Sequence, residues 1–331
     1  MVLVTGGTGF LGAYMIRELV EKGRVVRAIR HHSPVPFFMP PGIAEKVEWI
    51  EGDILDPMGL EEAMEGVDAV IHAAAKVSFA GKDRKELIHI NIEGTANLVN
   101  AALSKNIRRF IHVSSVAALG RTANGERVTE EKKWEDSRLN TTYSISKYYA
   151  EIEVWRGIGE GLSAVIVNPS TLLGYGDWNE TSCAIFRNVY NEFPWYTEGV
   201  NGFVDVSDAA RAIVALLESD IVGQRFILNG DNWTFRKLFD TIAAALGKKQ
   251  PTREATPLLA AAAWRVERIK SLFTGRPSLL TRESSRVAQS KTFFENGKIL
   301  RQLPGFSFTP LEQTIRDACR DYLAQQDIAI K

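Results

Sequence analysis

Short apolar runs alternate with segments of helical periodicity through the first half of the chain. The apolar runs predict the strands Val2–Val4, Val25–Ile29, Val47–Ile50, Ala69–His72, Phe110–Val113 and Ala164–Val167. Apolar positions three and four residues apart predict the helices Leu11–Glu21, Leu60–Met64, Leu87–Leu103 and Tyr143–Gly157. This alternation predicts an α/β fold with a doubly wound parallel sheet covered on both faces.

The regular alternation fades after Asn168 and Pro169, which we expect to stop the sixth strand. The segment 174–201 is rich in glycine, asparagine and aromatic residues. The later pattern predicts a helix at Asp208–Glu218, a strand at Arg225–Leu228, a helix at Phe235–Leu246 and a buried or lid helix at Leu258–Trp264. We therefore predict a first domain over residues 1–170 and a smaller region over 171–331, of which about 203–230 returns to the first.

Composition narrows the classes of partner. The 331 residues include 40 basic and 40 acidic side chains, and no long block of like charge, which disfavours nucleic acid. Cys183 and Cys319 have no metal or redox spacing and are typical of a reducing compartment. The opening apolar run is too short for a signal peptide, and no run reaches the roughly 18 apolar residues of a membrane span. We predict a cytoplasmic protein without a membrane partner.

Gly6, Gly9 and Gly12 have the spacing G-x-x-G-x-x-G between a predicted strand and a predicted helix. Small residues there let the backbone approach a pyrophosphate, toward which the first amides of a helix point. The loop, with Thr8, Phe10 and Leu11, is therefore predicted to bind a dinucleotide. The alternative is a glycine-rich turn selected for its backbone geometry alone.

Arg30 directly follows the second predicted strand, at the position where an acid would bind the adenosine ribose of NAD(H). An arginine there can bind a 2′-phosphate, so we predict NADP(H) in preference to NAD(H). Arg27, earlier in the same strand, is a second candidate for this role. Asp53, followed by Ile54, is predicted to accept from the adenine amino group or only to cap a turn. Ala73, Ala74 and Ala75 after the fourth strand leave room beside the cofactor.

Tyr143 and Lys147 lie four residues apart and so share one face of a helix. A tyrosine has an ordinary pKa of about 10, and a nearby ammonium can lower it toward the range needed for acid/base chemistry. Such a pair also occurs by chance on solvated helices. The rest of the chain supports the chemical interpretation.

These residues resemble the extended short-chain dehydrogenase/reductase family, within the NAD-dependent epimerase/dehydratase superfamily. The motifs that carry the resemblance are 5–12, Gly52-Asp53, 72–75, Asn91, Ser114-Ser115, Tyr143-x-x-x-Lys147, Asn168-Pro169 and 203–208. They are spread over nearly the whole chain and are jointly specific. The resemblance implies a Rossmann-like domain with a smaller C-terminal substrate-binding region, and a homodimer through the helices around Leu87–Leu103 and Tyr143–Gly157.

The resemblance also implies roles for individual residues. Ser115 and Tyr143 would hold a carbonyl substrate while Tyr143 supplies the proton, and Lys147 would bind the nicotinamide ribose and lower the pKa of Tyr143. Ser114 is the competing candidate for the catalytic hydroxyl. The set near the cofactor would further include Asn91, Asn168 and Pro169, and the substrate pocket would include Trp178, Phe186, Trp195 and Tyr196, unless these aromatics only pack in the core.

The resemblance is strongest to the dihydroflavonol reductase and hydroxysteroid dehydrogenase branches. Ser115 is followed by Val116-Ala117, where sugar-nucleotide dehydratases carry Asp-Glu, so dehydration is disfavoured. We predict an NADP(H)-dependent oxidoreductase that interconverts a ketone or aldehyde with an alcohol on a small aromatic or alicyclic substrate. The alternatives are a nucleotide-sugar 4-epimerase with tightly bound NAD, and a non-catalytic NADP(H) sensor. His72, His89 and His112 form no ligand pattern, so we predict packed, hydrogen-bonded histidines and no metal site.

Overall fold

The strands are short and rich in β-branched residues. The computed structural model of the protein describes residues 1–121, 125–137, 140–256, 259 and 282–330. In chain order its strands are β1 (Val2–Thr5), β2 (Val26–Arg30), β3 (Val47–Glu51), β4 (Ala69–His72), β5 (Arg109–Val113), β6 (Arg127–Val128), β7 (Ala164–Pro169), β8 (Thr171–Leu173), β9 (Trp195–Tyr196), β10 (Val200–Asp205), β11 (Gln224–Leu228), β12 (Asp231–Thr234), β13 (Arg253–Glu254) and β14 (Phe293–Phe294).

The described helices separate these strands. In chain order they are α1 (Phe10–Glu21), α2 (Pro41–Ala44), α3 (Pro57–Ala63), α4 (Arg84–Ile88), α5 (Gly94–Ser104), α6 (Thr142–Gly159), α7 (Ala184–Tyr190), α8 (Val206–Glu218), α9 (Phe235–Leu246), α10 (Arg282–Gln289), α11 (Gly297–Gln302) and α12 (Leu311–Ile330). No described helix is long and apolar enough to cross a membrane.

Seven strands form one parallel sheet in the order β3-β2-β1-β4-β5-β7-β11. Helices α1 and α8 cover one face, while α3, α5 and α6 cover the other, and each layer buries an apolar core. The predicted doubly wound α/β fold is confirmed. The strand order reverses between β1 and β4, which places a ligand crevice beyond the carboxyl ends of these strands.

Two local predictions differ from the structure. The sixth predicted strand continues through Asn168 and Pro169, because a proline is tolerated as the last residue of a strand. The predicted helix Leu87–Leu103 is interrupted by a π-helical turn at His89–Glu93, between α4 and α5. A π turn inserts a residue into the helical ladder, and apolar periodicity does not reveal it.

The later region packs around its own apolar cluster. Strands β8, β10 and β12 form a second sheet, and α7, α9 and α12 contribute Phe186, Leu238, Ile242 and Tyr322 to the cluster. Strand β11 returns to the edge of the main sheet beside β7. The division at residue 170 stays a prediction. The predicted helix Leu258–Trp264 lies outside the described residues except for Leu259.

Candidate active site

The glycine loop joins β1 to α1 at the crevice. Gly6 has a φ of +73°, and a Cβ there would lie 2.6 Å from the backbone nitrogen of Ala74. A Cβ at Gly12 would lie 2.0 Å from the carbonyl oxygen of Gly6. Gly9 is the N-cap residue of α1 and offers no side-chain cap, so the first amides of a 12-residue helix keep no side-chain partner there. Gly6 and Gly12 require glycine, and the helix end suits an anion.

The loop after β4 is held directly against the glycine loop. The hydroxyl of Thr5 lies 2.8 Å from Nδ1 of His72 and accepts a 3.2 Å hydrogen bond from the amide of Ala74. The Ala73 amide donates to the carbonyl of Thr5. The structure therefore brings Ala73 and Ala74 beside Gly6, as the predicted cofactor set requires.

Arg30 lies at the carboxyl end of β2 with a partly exposed side chain. Its guanidinium is 3.5 Å from the Glu51 carboxylate, which is itself 69% exposed. Arg27 is bound elsewhere, because it donates two 2.8 Å hydrogen bonds to the carbonyls of Ala63 and Glu65 at the end of α3. Residues three apart in a strand point to opposite faces, and only Arg30 lies at the strand end, which leaves Arg30 as the better candidate for a phosphate contact.

Asp53 lies after β3, near the predicted adenosine end. One carboxylate oxygen accepts a 2.9 Å hydrogen bond from the amide of Leu55, and the other lies 3.7 Å from Nε2 of His31. The first contact is a turn cap, which is the alternative role predicted for Asp53. The second oxygen remains partly exposed and can accept a ligand hydrogen bond. Ile54 is buried and packs against Gly94 at the start of α5.

Ser115 and Tyr143 approach each other at the carboxyl end of β5. Thr141 caps α6 by accepting a hydrogen bond from the amide of Ser144, which begins the helix just before Tyr143. Burial raises the pKa of Tyr143, and its interaction with the Ser115 hydroxyl opposes that rise. Ser114 points the other way and helps to lower the pKa of Glu151, although it forms no hydrogen bond of standard geometry with a described residue. The structure thus places Ser115, and not Ser114, beside Tyr143.

Lys147 lies one turn after Tyr143 and is 3% exposed. Its ammonium donates a 2.9 Å hydrogen bond to the carbonyl of Val113, two residues before Ser115. Burial lowers the pKa of Lys147 to about 8, and the charge of Glu151 opposes this effect. The expected lowering of the Tyr143 pKa by Lys147 is not seen, because burial of the phenol dominates and Lys147 faces a main-chain carbonyl.

Asn91 lies in the π-helical turn and connects three parts of the site. Its carboxamide oxygen accepts from the Lys76 amide at 2.7 Å, and its nitrogen donates to the Lys76 carbonyl and to the Ser146 hydroxyl. Lys76 directly follows Ala75, and Ser146 precedes Lys147. Asn91 therefore fixes the loop after β4 to α6, which is a bridging role and not a direct catalytic one.

A buried polar network below Lys147 was also missed. Asn168 donates from one amide nitrogen to the Ser115 carbonyl at 2.9 Å and to Glu151 at 2.5 Å. Arg225, on the edge strand β11, lies 3.4 Å from the other oxygen of Glu151. One feature of the sequence could have revealed this network. Glu151 is an acid four residues after Lys147, on a helix face that is otherwise buried. Pro169 follows Asn168 as the last residue of β7.

The predicted substrate aromatics lie in the later region. Trp178 stacks on Tyr322 at 5.6 Å, and Phe186 is fully buried against the same ring. These contacts correspond to the core-packing alternative for both residues. Trp195 and Tyr196 form β9 and pair with β13. Their role toward a substrate stays a prediction.

The histidines divide by environment. His72 has hydrogen-bond partners on both ring nitrogens, Thr5 at 2.8 Å and Thr95 at 3.0 Å, as expected for a packed histidine. The ring nitrogens of His112 are buried and have no partner among the described residues, so the expected hydrogen bonding is wrong there. His89 lies 3.0 Å from Glu93 on the surface.

Comparison with known proteins agrees with this arrangement. Residues 2–228 match the family model described as the NAD dependent epimerase/dehydratase family. The chain belongs to this family. The predicted family, with its dihydroflavonol reductase-like relatives, is thereby confirmed.

The family's members include named reductases similar to this chain. A putative dihydroflavonol 4-reductase of Synechocystis is 30% identical over 327 residues, covering 95% of this chain and 92% of that protein. Vestitone reductase of Medicago sativa is 29% identical over 68% of this chain and 75% of its own length. The crystal structure of gox2253 is 30% identical, has a TM-score of 0.82 and covers 98% of both chains. The family binds NAD(P), and these relatives support a reductase.

A solved UDP-glucose 4-epimerase of Thermotoga maritima shares the fold. Its TM-score is 0.79 at 18% identity, with 98% of this chain and 99% of that chain covered. That level of identity relates the two architectures and not their reactions.

The side chains at the crevice fit a dinucleotide. A Cβ could not be accommodated at Gly6 or Gly12, and the N-terminus of α1 has no side-chain cap. The guanidinium of Arg30 and the carboxylate of Asp53 follow β2 and β3, whereas Lys147 lies against the end of β5, on the other side of β1 in the sheet. Pyrophosphate, adenosine and nicotinamide ribose would each meet groups of suitable charge.

Proposed function

We propose that the protein is an NADP(H)-dependent oxidoreductase that interconverts a ketone or aldehyde with an alcohol. The observation that carries this proposal is the meeting of the Ser115 and Tyr143 hydroxyls at the carboxyl end of β5, with Lys147 one helical turn away. Two hydroxyl donors beside a dinucleotide loop are the groups that polarisation of a carbonyl oxygen requires.

The protonation states support Tyr143 as the acid in the reducing direction. Burial raises the pKa of Tyr143, so the phenol holds its proton at neutral pH and can donate it to the developing alkoxide. Lys147, with a pKa lowered to about 8, remains mostly charged at neutral pH, and its task in this proposal is to bind the nicotinamide ribose. Ser115 donates a second hydrogen bond to the substrate oxygen. The bound nicotinamide supplies or removes the hydride.

Arg30 supports the preference for NADP(H). A carboxylate at the end of β2 would repel a 2′-phosphate, and the residue found there is a cation. Its contact with Glu51 is between partly exposed groups, and such surface ion pairs contribute only about 0–1 kcal/mol. A doubly charged phosphate can therefore replace Glu51 as the partner of Arg30 at little energetic cost.

A nucleotide-sugar epimerase would need basic and amide groups in the later region to bind a diphosphate, and the candidates Arg187, Asn188, Arg211 and Arg276 offer little support for it. Arg187 donates a 2.7 Å hydrogen bond to Asn179, and Arg211 is paired with Asp208 and lies over the ring of Phe306. Both arginines therefore already have partners within the chain. Asn188 is exposed, and Arg276 lies outside the described residues.

We propose a small aromatic or alicyclic carbonyl compound as the substrate. The named relatives that support this class are a putative dihydroflavonol 4-reductase, a vestitone reductase and a 3-beta-hydroxysteroid dehydrogenase. The aromatic side chains of β9, Trp195 and Tyr196, are the candidate walls. A homodimer also stays a proposal, for which the exposed Tyr149 and Ile152 on α6 offer an apolar face.

The test combines a substrate panel with one matched pair of variants. NADPH oxidation is followed with aromatic and alicyclic ketones and aldehydes, and UDP-sugars are assayed in parallel for epimerisation. Loss of a general acid costs about 10²–10⁴ in rate, so Tyr143→Phe should lose at least about 100-fold in kcat while NADPH affinity stays within about threefold. Tyr149→Phe changes an exposed tyrosine of the same helix and should leave kcat unaltered.

Two results would contradict this proposal. Selective binding of NAD with turnover of UDP-sugars would favour the epimerase. A Tyr143→Phe enzyme that reduces carbonyl compounds at the wild-type rate would remove Tyr143 from the mechanism.

A further inference from the structure

Glu151 is a carboxylate buried one helical turn beyond Lys147. Its side chain is 1% exposed, and the four-residue spacing puts both charged groups on the sheet-facing side of α6. Burial raises the pKa of Glu151, and the largest opposing effects come from Ser114 and the charge of Arg225. Glu151 in turn raises the pKa of Lys147 against the effect of burial. A buried acid in this position acts electrostatically on the lysine of the site.

Asn168 connects the same carboxylate to the catalytic serine. One amide nitrogen donates to Glu151 Oε1 at 2.5 Å and to the Ser115 carbonyl at 2.9 Å. Lys147 binds the end of the strand that leads into this loop, through the Val113 carbonyl at 2.9 Å. Glu151 is therefore connected to Ser115 through Asn168 and lies one helical turn from Lys147.

We propose that Glu151 is a positioning residue of the active site, which keeps Lys147 protonated in a buried environment and fixes Asn168 under the Ser115 loop. This inference rests on the proposed function, because it assigns a task to Lys147 and Ser115. The competing interpretation is that Glu151 only pairs with Arg225 to hold the edge strand β11 to α6, at a separation of 3.4 Å.

The other charged or titratable groups near this pair come from four directions. Lys147 faces His72 from β4 and His112 from β5, and burial lowers the pKa of both histidines so that they remain neutral. Tyr143 precedes Lys147 on α6, and its raised pKa keeps the phenol uncharged at neutral pH. Glu151 faces Arg225 from β11 and lines a groove of about 560 Å³. The groove's other charged lining residues are Glu130, Glu131, Lys132, Lys133 and Lys298.

These surroundings separate the two interpretations. With the histidines neutral, the charge of Glu151 is what raises the pKa of Lys147. Removing that charge should make Lys147 lose its proton at lower pH. If Glu151 only holds β11 to α6, removing its charge should lower the free energy of unfolding without changing the midpoint of the Lys147 titration.

The experiment uses Glu151→Gln, which keeps an oxygen for Asn168 and removes the charge. Lys147 is followed by NMR of protein labelled with ¹³C-lysine, and its signal is assigned by its absence from Lys147→Arg. We expect the midpoint of Lys147 to fall by about one pH unit from its value of about 8, which is tenfold in its acid dissociation constant. The alkaline limb of the kcat profile should move to lower pH by a similar amount, with KM changed less than about threefold.

Glu153→Gln is the matched control. Glu153 lies on the same helix, is 28% exposed and pairs with Arg156 at 2.9 Å on the surface. It should move neither the Lys147 midpoint nor the kcat profile. Arg225→Gln is a second variant, in case Glu151→Gln does not fold. Arg225 lowers the pKa of Glu151 and so favours its charged form, which means that removing Arg225 should weaken the charge facing Lys147 and lower the Lys147 midpoint.

The outcomes distinguish this inference from the proposed function. A Lys147 midpoint that is unchanged in both Glu151→Gln and Arg225→Gln would overturn the inference, even if Tyr143→Phe is inactive as expected. Full activity of Tyr143→Phe and Lys147→Arg would instead overturn the proposed function. The midpoint is measured without turnover, so it reports on Glu151 in either case.

Discussion

The buried imidazole of His72 should make the fold sensitive to acid in a calculable way. Both ring nitrogens contact hydroxyls, Thr5 at 2.8 Å and Thr95 at 3.0 Å, and the side chain is 1% exposed. Burial, and then the charge of Lys147, lower the pKa of His72 from 6.5 to about 3. The perturbation that tests this is His72→Asn, which keeps a polar group facing Thr5 but cannot titrate.

The sign follows from proton linkage. The folded-state pKa lies below the unfolded value, so between about pH 3 and 6.5 the unfolded chain binds more protons. The stabilisation is therefore complete above the unfolded pKa and is lost as pH falls toward the folded pKa. With these two values, His72 alone removes about 2 kcal/mol of unfolding free energy between about pH 7 and pH 5.

Urea unfolding of wild type and His72→Asn near neutrality and near pH 5 measures this directly. The variant can be less stable at both pH values, but its loss on acidification should be about 2 kcal/mol smaller than that of wild type. His31→Asn, at a histidine that is 64% exposed, should lose as much as wild type. An equal loss in wild type and His72→Asn would refute the assignment of a low pKa to His72.

Two further predictions concern the cofactor site. Gly12→Ala should weaken NADPH binding and cost about 1–3 kcal/mol of stability, because its Cβ would lie 2.0 Å from the Gly6 carbonyl oxygen; thermal unfolding and NADPH titration measure both effects. Gly159→Ala, at an uncrowded helical glycine, should be neutral or stabilising, and a Gly12→Ala protein that behaves the same would contradict the close-contact argument. Arg30→Ala should weaken NADPH about tenfold or more and leave NADH within about twofold, which fluorescence titration of both nucleotides can check; an equal effect on both would remove Arg30 from the 2′-phosphate site.

Local sequence patterns were sufficient to predict the glycine loop, the shared helix face of Tyr143 and Lys147, and the position of Arg30. The glycine spacing predicted the loop at Gly6–Gly12, because contacts within the loop, such as that of Gly12 with the Gly6 carbonyl oxygen, join residues close together in the chain. The helical spacing of Tyr143 and Lys147 predicted a shared face in the same way. The role of Arg30 was predicted from its position at the end of β2, where the charge of a single residue favours NADP(H) or NAD(H).

Contacts between distant segments were not available to such reasoning. The hydrogen bonds of Asn91 to Lys76 and Ser146 join residues 15 and 55 positions apart, across a π-helical turn that no apolar period reveals. The predicted effect of Lys147 on the Tyr143 pKa likewise neglected burial, which depends on everything packed around the phenol.

The buried charges explain why Lys147 can be both inaccessible and protonated. An isolated ammonium in the interior loses much of its hydration and tends to lose its proton, and its pKa of about 8 records that tendency. The Val113 carbonyl supplies one hydrogen bond, and the carboxylate of Glu151 supplies the opposing charge. Glu151 tolerates its own burial through Asn168 and Arg225, which belong to β7 and β11. The edge strand of the sheet is therefore part of what keeps the lysine charged beside Tyr143, and a change in the packing of β11 against α6 should be felt in the chemistry of the site.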